Sequence, residues 1–263
     1  MKATYIDHMG TDLSVVNAAR VSFGKKSEWV PIHMKPGGDE GNPSEGWIEY
    51  KLSTRDKGLI RFLARGCTTG DWENLKKEFT HWYGTEGMDD LLNHVKNMPT
   101  HWTPFGHTAI TLHIKAPIFV ARQLGKHQVG MVWNEVSRRY VTDDPVAHMP
   151  KIWRKSAENV KQGSSDEPVT GTDVESVVRE LYDHTNNVYH ELLDAGVCPE
   201  QARMVLPQSM YTEWYWTGNL YSFANVFIQR TDSHAQREVQ NVARQIGEII
   251  EPLFPVSWSA LTT

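Results

Sequence analysis

Residues 107–128 read HTAITLHIKAPIFVARQLGKHQ, and inside them the hydrophobic period changes. His107, Ala109, Thr111 and His113 alternate with Thr108, Ile110, Leu112 and Ile114, which predicts a strand over 107–115 with one apolar face. Pro117 starts a new element, and Ile118–Gln128 fits a helix whose end Gly125 weakens. Further along, Ser209–Thr217 (SMYTEWYWT) is strand-like, and Asn219–Arg230 and Ala235–Ile250 read as helices broken near Thr231–Ser233. Asp173–Ala195 is the clearest helix: Val174, Val177, Val178, Leu181, Val188, Leu192 and Leu193 form one broad stripe, Thr172 and Glu175 fit a capping box, and Gly196 supplies the stop. Toward the N-terminus, a short apolar stretch at Ala3–Ile6 precedes a helix at Asp12–Ser22 capped by Thr11 or Asp12. Helical patterns follow at Thr54–Ala64, Asp71–Tyr83 and Met88–Met98. Strands and helices are segregated rather than alternating, so the prediction is an α+β fold rather than a doubly wound sheet.

A chain of 263 residues is long enough for one substantial domain, and 1–263 is read as one, with 33–48, rich in Gly, Pro and acid, as a surface insertion. The polar stretch Glu158–Gly171 is read as a surface connection. A net charge of -5 argues against non-specific binding to nucleic acid, which needs a basic surface, but not against one nucleotide held by a few Arg side chains. Cys67 and Cys198 cannot build a disulfide framework or a CxxC metal site. With no apolar signal core and no stretch approaching a membrane span, a soluble, cytoplasmic protein without membrane contact is expected. Many Trp and Tyr residues gather at 72–102 and 211–221, which suits either core packing or a site for a flat ring.

The densest polar cluster is Arg122-Gln123-Leu124-Gly125-Lys126-His127-Gln128, followed after five residues by Asn134-Glu135-Val136-Ser137-Arg138-Arg139-Tyr140. It emerges directly from the apolar run Ala116–Ala121, and charged groups at the end of a buried element need partners. Two readings stay open. One is an ion-pair network with Glu135 on Arg122 or Arg139. The other is an anion and amide-edge site, with Arg and Lys for phosphate and Gln and Asn for a pyrimidine edge. A second cluster holds Arg203, Asn219, Asn225 and Arg230-Thr231-Asp232-Ser233-His234. Arg230 suits a helix C-terminus, and it would neighbour His234 if the helix continued through Asp232. His101, His107 and His113 lack a carboxylate or Cys at supporting spacing, so no metal site is expected. No GxGxxG, P-loop or GxSxG pattern occurs.

KAPIFVARQ (Lys115–Gln123) followed by NEVSRRY (Asn134–Tyr140) resembles the flavin-dependent thymidylate synthases, whose signature has the form RHRxxSxNExSxRY. NAARVSF (Asn17–Phe23), TPF (Thr103–Phe105), ARMVLP (Ala202–Pro207), WTGN (Trp216–Asn219) and RTDSHAQ (Arg230–Gln236) are similar too, in family order from about residue 11 to 240. The resemblance implies a central, mostly antiparallel sheet with flanking helices and a helical subdomain. It also implies a homotetramer with active sites at subunit interfaces, FAD as cofactor, dUMP as substrate, methylenetetrahydrofolate as carbon donor and NADPH as reductant. By position, Gln123, the backbone of Leu124, Gly125 and Lys126, and Glu135, Val136, Ser137, Arg138, Arg139 and Arg203 match dUMP contacts. Arg230 matches the catalytic arginine that favours ionisation at N3 of the uracil ring, and also contacts dUMP. Ser22, Thr103, Lys126, His127, Gln128, Glu135, Asn219, Asn225 and His234 match flavin-contacting positions.

Methylating C5 requires electron density pushed onto that carbon. Neither cysteine lies in a motif, so an electrostatic role for Arg230 is expected instead of a Cys nucleophile, with reduced flavin supplying the hydride. The departures lie in the signature itself. Arg-His-Arg is Lys126-His127-Gln128, the spacing from His127 to Asn134 is one residue longer, the middle Ser is missing, and Gly106 replaces an acid after TPF. Lys for Arg loses a planar fork and Gln for Arg loses a charge, so retained activity with altered flavin or folate binding is expected. Two alternatives remain: a relative transferring a different one-carbon unit to a pyrimidine nucleotide, and a non-catalytic nucleotide-binding or assembly protein, against which Arg230 and Ser137 weigh.

Overall fold

A computed structural model of the chain describes residues 1–33, 48–66, 77, 81, 100–157 and 164–263. In chain order the elements are β1 (Lys2–Met9), α1 (Asp12–Arg20), β2 (Val30–His33), β3 (Ile48–Lys51), α2 (Thr54–Arg65), β4 (Ala109–Pro117), α3 (Ile118–Leu124), β5 (Met131–Glu135), β6 (Arg154–Ser156) and β7 (Ser164–Pro168). They continue with α4 (Val174–Asp194), a short α5 (Pro199–Ala202), β8 (Tyr211–Gly218), α6 (Leu220–Thr231), α7 (Arg237–Ile250) and α8 (Pro255–Thr262). Most of the 33–48 stretch, the helices read at Asp71–Tyr83 and Met88–Met98, and Cys67 lie outside the described residues. Among the described residues no helix is long and apolar enough to cross a membrane. The architecture is α+β, as expected.

Two compact units divide the chain: Met1–Asp7, Ile110–Gly218 and Ser222–Ile249 in the first, His8–Ala109, Asn219–Tyr221 and Ile250–Thr263 in the second. The first carries a four-stranded sheet in the order β1-β4-β8-β5. β8 runs antiparallel to both neighbours, with Ile114 opposite Trp214 on one side and Glu135 opposite Trp214 on the other. Alternation decides what is buried: Ile110, Leu112, Ile114 and Ala116 on β4, with Trp214 and Trp216 on β8, are inaccessible or nearly so. Trp216 meets Phe223 of α6 edge to face at 5.4 Å. Val239, Val242, Ala243 and Ile246 of α7 are buried at helical spacing. Gly247 belongs to that face because a Cβ there would stand 2.5 Å from the Phe227 ring.

In the second unit, the buried Asp12 carboxylate accepts the backbone N–H groups of Val256 and Ser257 at 2.9 and 2.8 Å, closing the first turn of α8. Asp56 accepts Ser53 Oγ at 2.7 Å, Ser27 Oγ at 2.9 Å and Arg20 Nε at 3.0 Å. Burial opposes its charge, but these hydrogen bonds together hold its carboxyl below the ordinary value. Val15, Val16, Ile60, Leu63, Phe105 and Phe254 are buried in the same unit.

Several boundaries differ from expectation for local reasons. The strand read at 107–115 runs over Ala109–Pro117, because Thr103–His107 is a 3-10 turn that Thr108 Oγ closes onto the Phe105 carbonyl. His107 therefore leaves the strand that carries His113. Helix α3 stops at Leu124, where Gly125 N–H bonds Ala121 O and His127 N–H bonds Leu124 O, so Lys126, His127 and Gln128 leave the helix. The second strand starts at Tyr211, since Met210 N–H closes a turn on Pro207 O. Helix α4 is capped by Asp173, which accepts Ser176 N–H at 3.1 Å, and not by the Thr172 box. Only Tyr189 of α4 is buried; Val177 and Leu181 of the expected stripe are 64% and 57% exposed. The stretch read as a polar surface connection contains β7, paired antiparallel with β6 and tied by Lys155 to Glu167 at 3.0 Å.

Candidate functional site

The polar segment begins where α3 ends. Gln123, on its last turn, donates from Nε2 to Gln236 Oε1 at 2.7 Å and to the Phe119 carbonyl at 3.4 Å. Lys126 and Gln128 are exposed and His127 half-buried in the following turn. Met131 N–H then bonds Gln128 O at 3.1 Å around Gly130, whose φ of 70° is left-handed and favours glycine. Ser222 Oγ donates to the Val129 carbonyl at 2.8 Å and ties this turn to α6. The longer spacing to Asn134 is thus absorbed in a β-turn that feeds β5 in register with β8.

Glu135 ends β5. Its Oε1 accepts Thr212 Oγ1 at 2.6 Å and its Oε2 accepts Trp133 Nε1 at 3.1 Å. The indole of Trp133 lies flat on Trp214 at 4.2 Å, fixing the donor from behind. Glu135 does not pair with Arg122 or Arg139, so the ion-pair reading of this cluster fails for it. The exposed Val136 leads into the turn, bonding backbone to backbone with Glu213. Ser137 Oγ accepts Arg139 N–H and Nε at 3.3 and 3.4 Å, while Arg138 turns away to the Asp143 carbonyl. Arg139 stands 3.6 Å from the Glu200 carboxylate, and Arg203 Nε donates to the backbone carbonyl of the same Glu200 at 3.4 Å. Ser137, Arg139 and Arg203 therefore meet around one residue on α5, a hydroxyl and two guanidinium groups on an exposed surface.

The second constellation joins the ends of α3 and α6. Arg230 Nε donates to His127 Nε2 at 2.9 Å. A ring nitrogen that accepts cannot carry a proton, so His127 is neutral with its proton on Nδ1. Burial, and then the Arg230 charge, push His127 below its ordinary pKa; burial also lowers Arg230, whose guanidinium nevertheless stays charged. Among the described residues no carboxylate pairs with Arg230, and no direct bond joins this pair to the Ser137–Arg139–Arg203 group. Helix α6 ends at Thr231, so His234 is no helical neighbour of Arg230. Its backbone and ring instead bond Asp232 at 2.8 and 2.9 Å, and these bonds hold the Asp232 carboxyl low. Asn225 is half-buried on α6.

Ser22, Thr103 and Asn219 belong to the second unit. Ser22 and Thr103, far apart in sequence, line one cavity of about 670 Å³. Phe23, Leu59, Phe62 and Pro104 give it apolar walls, and Lys25 and Arg55 reach it without an ion-pair partner among the described residues. Asn219 stands just before α6.

Sequence reasoning missed Gln236, Glu238, Thr212, Lys25 and Arg55. Gln236 lies at the end of a quoted motif, yet its contact with Gln123 spans 113 residues and leaves no spacing signal. Glu238 is buried and paired with Arg154 at 3.1 Å, a contact equally invisible to local pattern.

A family model described as thymidylate synthase complementing protein matches residues 4–256. A flavin-dependent thymidylate synthase from Kosmotoga olearia is 39% identical over 257 residues, covering 97% of this chain and 87% of that protein. One from Thermosipho africanus is 33% identical over 258 residues, covering 97% and 88%. Among solved structures, the UMP/dUMP methylase PolB from Streptomyces cacaoi bound with 5-Br dUMP is similar with a TM-score of 0.67 and 27% identity, covering 99% of this chain and 94% of that one. A match reaching from residue 4 to 256 takes in both units and every motif above, and the chain belongs to the thymidylate synthase complementing protein family, that of the flavin-dependent thymidylate synthases.

Proposed function

We propose that this enzyme methylates C5 of dUMP to give dTMP, with FAD as cofactor, methylenetetrahydrofolate as carbon donor and NADPH as reductant. The observation that carries the reading is Arg230: a partly desolvated guanidinium, held through Nε by a neutral His127 and unpaired with any described carboxylate. Its two Nη groups remain to meet a negative charge that develops during reaction.

In this reading Ser137, Arg139 and Arg203 take the dUMP phosphate, a task suited to forked donors and a hydroxyl. Gln123, Glu135, Val136 and the 124–126 backbone contact the rest of the nucleotide, and Arg138 is a further family-matched position, bonded in the protein alone to the Asp143 carbonyl. Arg230 stabilises charge on the N3/O4 side of the uracil ring, which favours ionisation at N3 and pushes electron density toward C5. His127 keeps the guanidinium in place and, being neutral, does not cancel that effect by adding charge. Cys198, exposed at the start of α5, has no part in this.

The residues fit FAD. The cavity with Ser22 and Thr103 offers apolar walls for a ring and, in Lys25 and Arg55, two cations for a diphosphate, while Lys126, His127, Gln128, Glu135, Asn219, Asn225 and His234 are the other family-matched positions. When bound, FAD supplies the hydride that completes the methyl group. Gln128 brings no charge where the family pattern has Arg, so Lys126 carries the cationic part of that segment. A homotetramer with shared active sites is supported by apolar side chains that a lone protomer leaves open, among them Val177 and Leu181 on α4 and Met204, 79% exposed beside Arg203.

Visible absorbance of the purified protein, followed by anaerobic addition of dUMP, methylenetetrahydrofolate and NADPH, tests the reading. Flavin bands that bleach with NADPH and return as dTMP forms are expected. A protein that binds dUMP yet takes up no FAD at high micromolar concentration would refute it. Because a similar structure is that of a UMP/dUMP methylase, UMP is the second substrate to offer, and product mass distinguishes methyl from any other one-carbon unit.

A further inference from the structure

We propose that Gln236 is a positioning residue that locks the side-chain amide of Gln123 so that its Oε1, an acceptor, is the atom presented to the nucleotide. The inference rests on the reading that Gln123 faces the substrate and adds the polarity of that contact. A primary amide has two N–H donors and one carbonyl oxygen, and rotation by half a turn exchanges them at little steric cost. Something must therefore choose the orientation.

The choice is made by a chain of groups whose polarity cannot be reversed. Both Nε2 hydrogens of Gln123 are engaged inside the protein, one on Gln236 Oε1 at 2.7 Å and the other on the Phe119 carbonyl at 3.4 Å. The Phe119 oxygen can only accept, which independently fixes Nε2 on that side. Gln236 is held in turn. Its backbone carbonyl accepts Val239 and Gln240 N–H at 2.9 and 3.0 Å, anchoring it to the first turn of α7. Two residues on, Glu238 is 8% exposed and bonds Arg154 at 3.1 and 3.2 Å. Burial opposes the charge of Glu238, but Arg154, its own backbone and the Gln236 side chain hold it low. Only the NH2 end of an amide favours a carboxylate, so Gln236 turns its nitrogen toward Glu238 and its oxygen toward Gln123. Arg154, Glu238, Gln236 and Gln123 thus alternate donor and acceptor, leaving Gln123 Oε1 as the open end. A ligand is accepted there when it brings an N–H or O–H, and one that brings only acceptors leaves a polar group unpaired.

The test uses the full-length protein with and without dUMP. Gln236→Met keeps the length and packing but removes the acceptor. It is expected to weaken dUMP binding roughly 5- to 30-fold by calorimetry, the effect of losing one orienting hydrogen bond, with FAD binding unchanged. In the ligand-free protein, the Gln123 side-chain amide protons, observed by NMR with 15N-labelled glutamine, are expected to lose their exchange protection in Q236M. The double variant Gln236→Glu with Glu238→Gln exchanges carboxylate and amide while keeping both the acceptor for Gln123 and the total charge. It is expected to restore dUMP binding to within about threefold of the unaltered protein. Unchanged dUMP binding in Q236M, loss of FAD binding along with it, or a double variant no better than Q236M overturns the proposal. Failure of the unaltered protein to bind dUMP sinks the functional reading instead; persistence of the Gln123 amide protection in Q236M still overturns this one.

Discussion

Replacing Arg230 by Gln separates charge from position. A Gln side chain places its Nε2 about where Arg carries Nε, so the variant can still donate to His127 Nε2, the bond that measures 2.9 Å. What disappears is the positive charge and the two Nη donors. At about 4 Å and an effective dielectric constant near 20, a unit charge is worth about 4 kcal/mol to an opposite charge. Arg230 is only partly buried, so solvent screens some of this, and we take about 2–3 kcal/mol as the part felt by charge on the uracil ring. At about 1.4 kcal/mol per factor of ten, R230Q is expected to lower the single-turnover rate of dTMP formation about 30- to 150-fold. dUMP affinity should change much less, because the charge on N3/O4 develops mainly after binding. The assay is rapid-quench dTMP formation with the flavin pre-reduced and dUMP saturating. A rate within threefold of the unaltered enzyme, or a loss confined to dUMP affinity, would refute the electrostatic role.

Three further outcomes follow from the geometry. His127 has a folded-state pKa below its ordinary value, so the unfolded chain takes up the proton first; stability present above about pH 6.5 should fall as pH drops through the folded value, together with activity, since protonation removes the acceptor for Arg230. Melting temperature and turnover between pH 8 and 5 read this, and an acid limb in neither contradicts it. Gly130→Ala places a Cβ at a φ of 70° in the turn before β5 and should cost about 1–2 kcal/mol in urea unfolding, while no measurable loss would mean the turn relaxes freely. Asp12→Ala leaves the Val256 and Ser257 N–H groups of α8 uncapped in a buried place, and about 1–2 kcal/mol of stability should be lost; an unchanged urea midpoint would show that water or another group replaces the carboxylate.

The parts of the fold that were legible in the sequence are those written in local period. Strand β4 followed by α3, and α6 followed by α7, came out within two or three residues, apart from the overrun at the end of α3, because burial of one face imposes the pattern of Ile110, Leu112 and Ile114 or of Val239, Val242 and Ile246. β7 was missed because Ser164–Pro168 is polar throughout and is specified by its pairing with β6 rather than by an apolar face. The stripe on α4 was legible as a pattern, yet Val177 and Leu181 on it are exposed, since periodicity says which side is apolar and not what covers it. The site divides along the same line. Its residue types were visible, yet the contacts that orient them are long-range: Thr212 to Glu135, Gln236 to Gln123, His127 to Arg230.

That division also bears on how the chain departs from the family's signature. Lys126-His127-Gln128 and the extra residue after it fall in the loop between Leu124 and Met131, which is pinned at His127 by Arg230, at the Val129 carbonyl by Ser222 and at Gly130 by its φ, while the Lys126 and Gln128 side chains stay exposed. The flanks are held from elsewhere: Gln123 by Gln236, and β5 by its register on β8. Side chains in such a loop can change the affinity for a ligand's charged groups, since Gln128 carries no charge, without moving the groups proposed to bind and polarise the nucleotide. Restoring Gln128→Arg should therefore tighten FAD binding while leaving the dTMP-forming rate at saturating FAD within about twofold, as expected of an interaction made equally in ground and transition states. Equilibrium titration of FAD beside single-turnover kinetics separates the two quantities. A Q128R variant that altered the rate and not the affinity would place this position in the chemistry and undo the distinction drawn between loop and flanks.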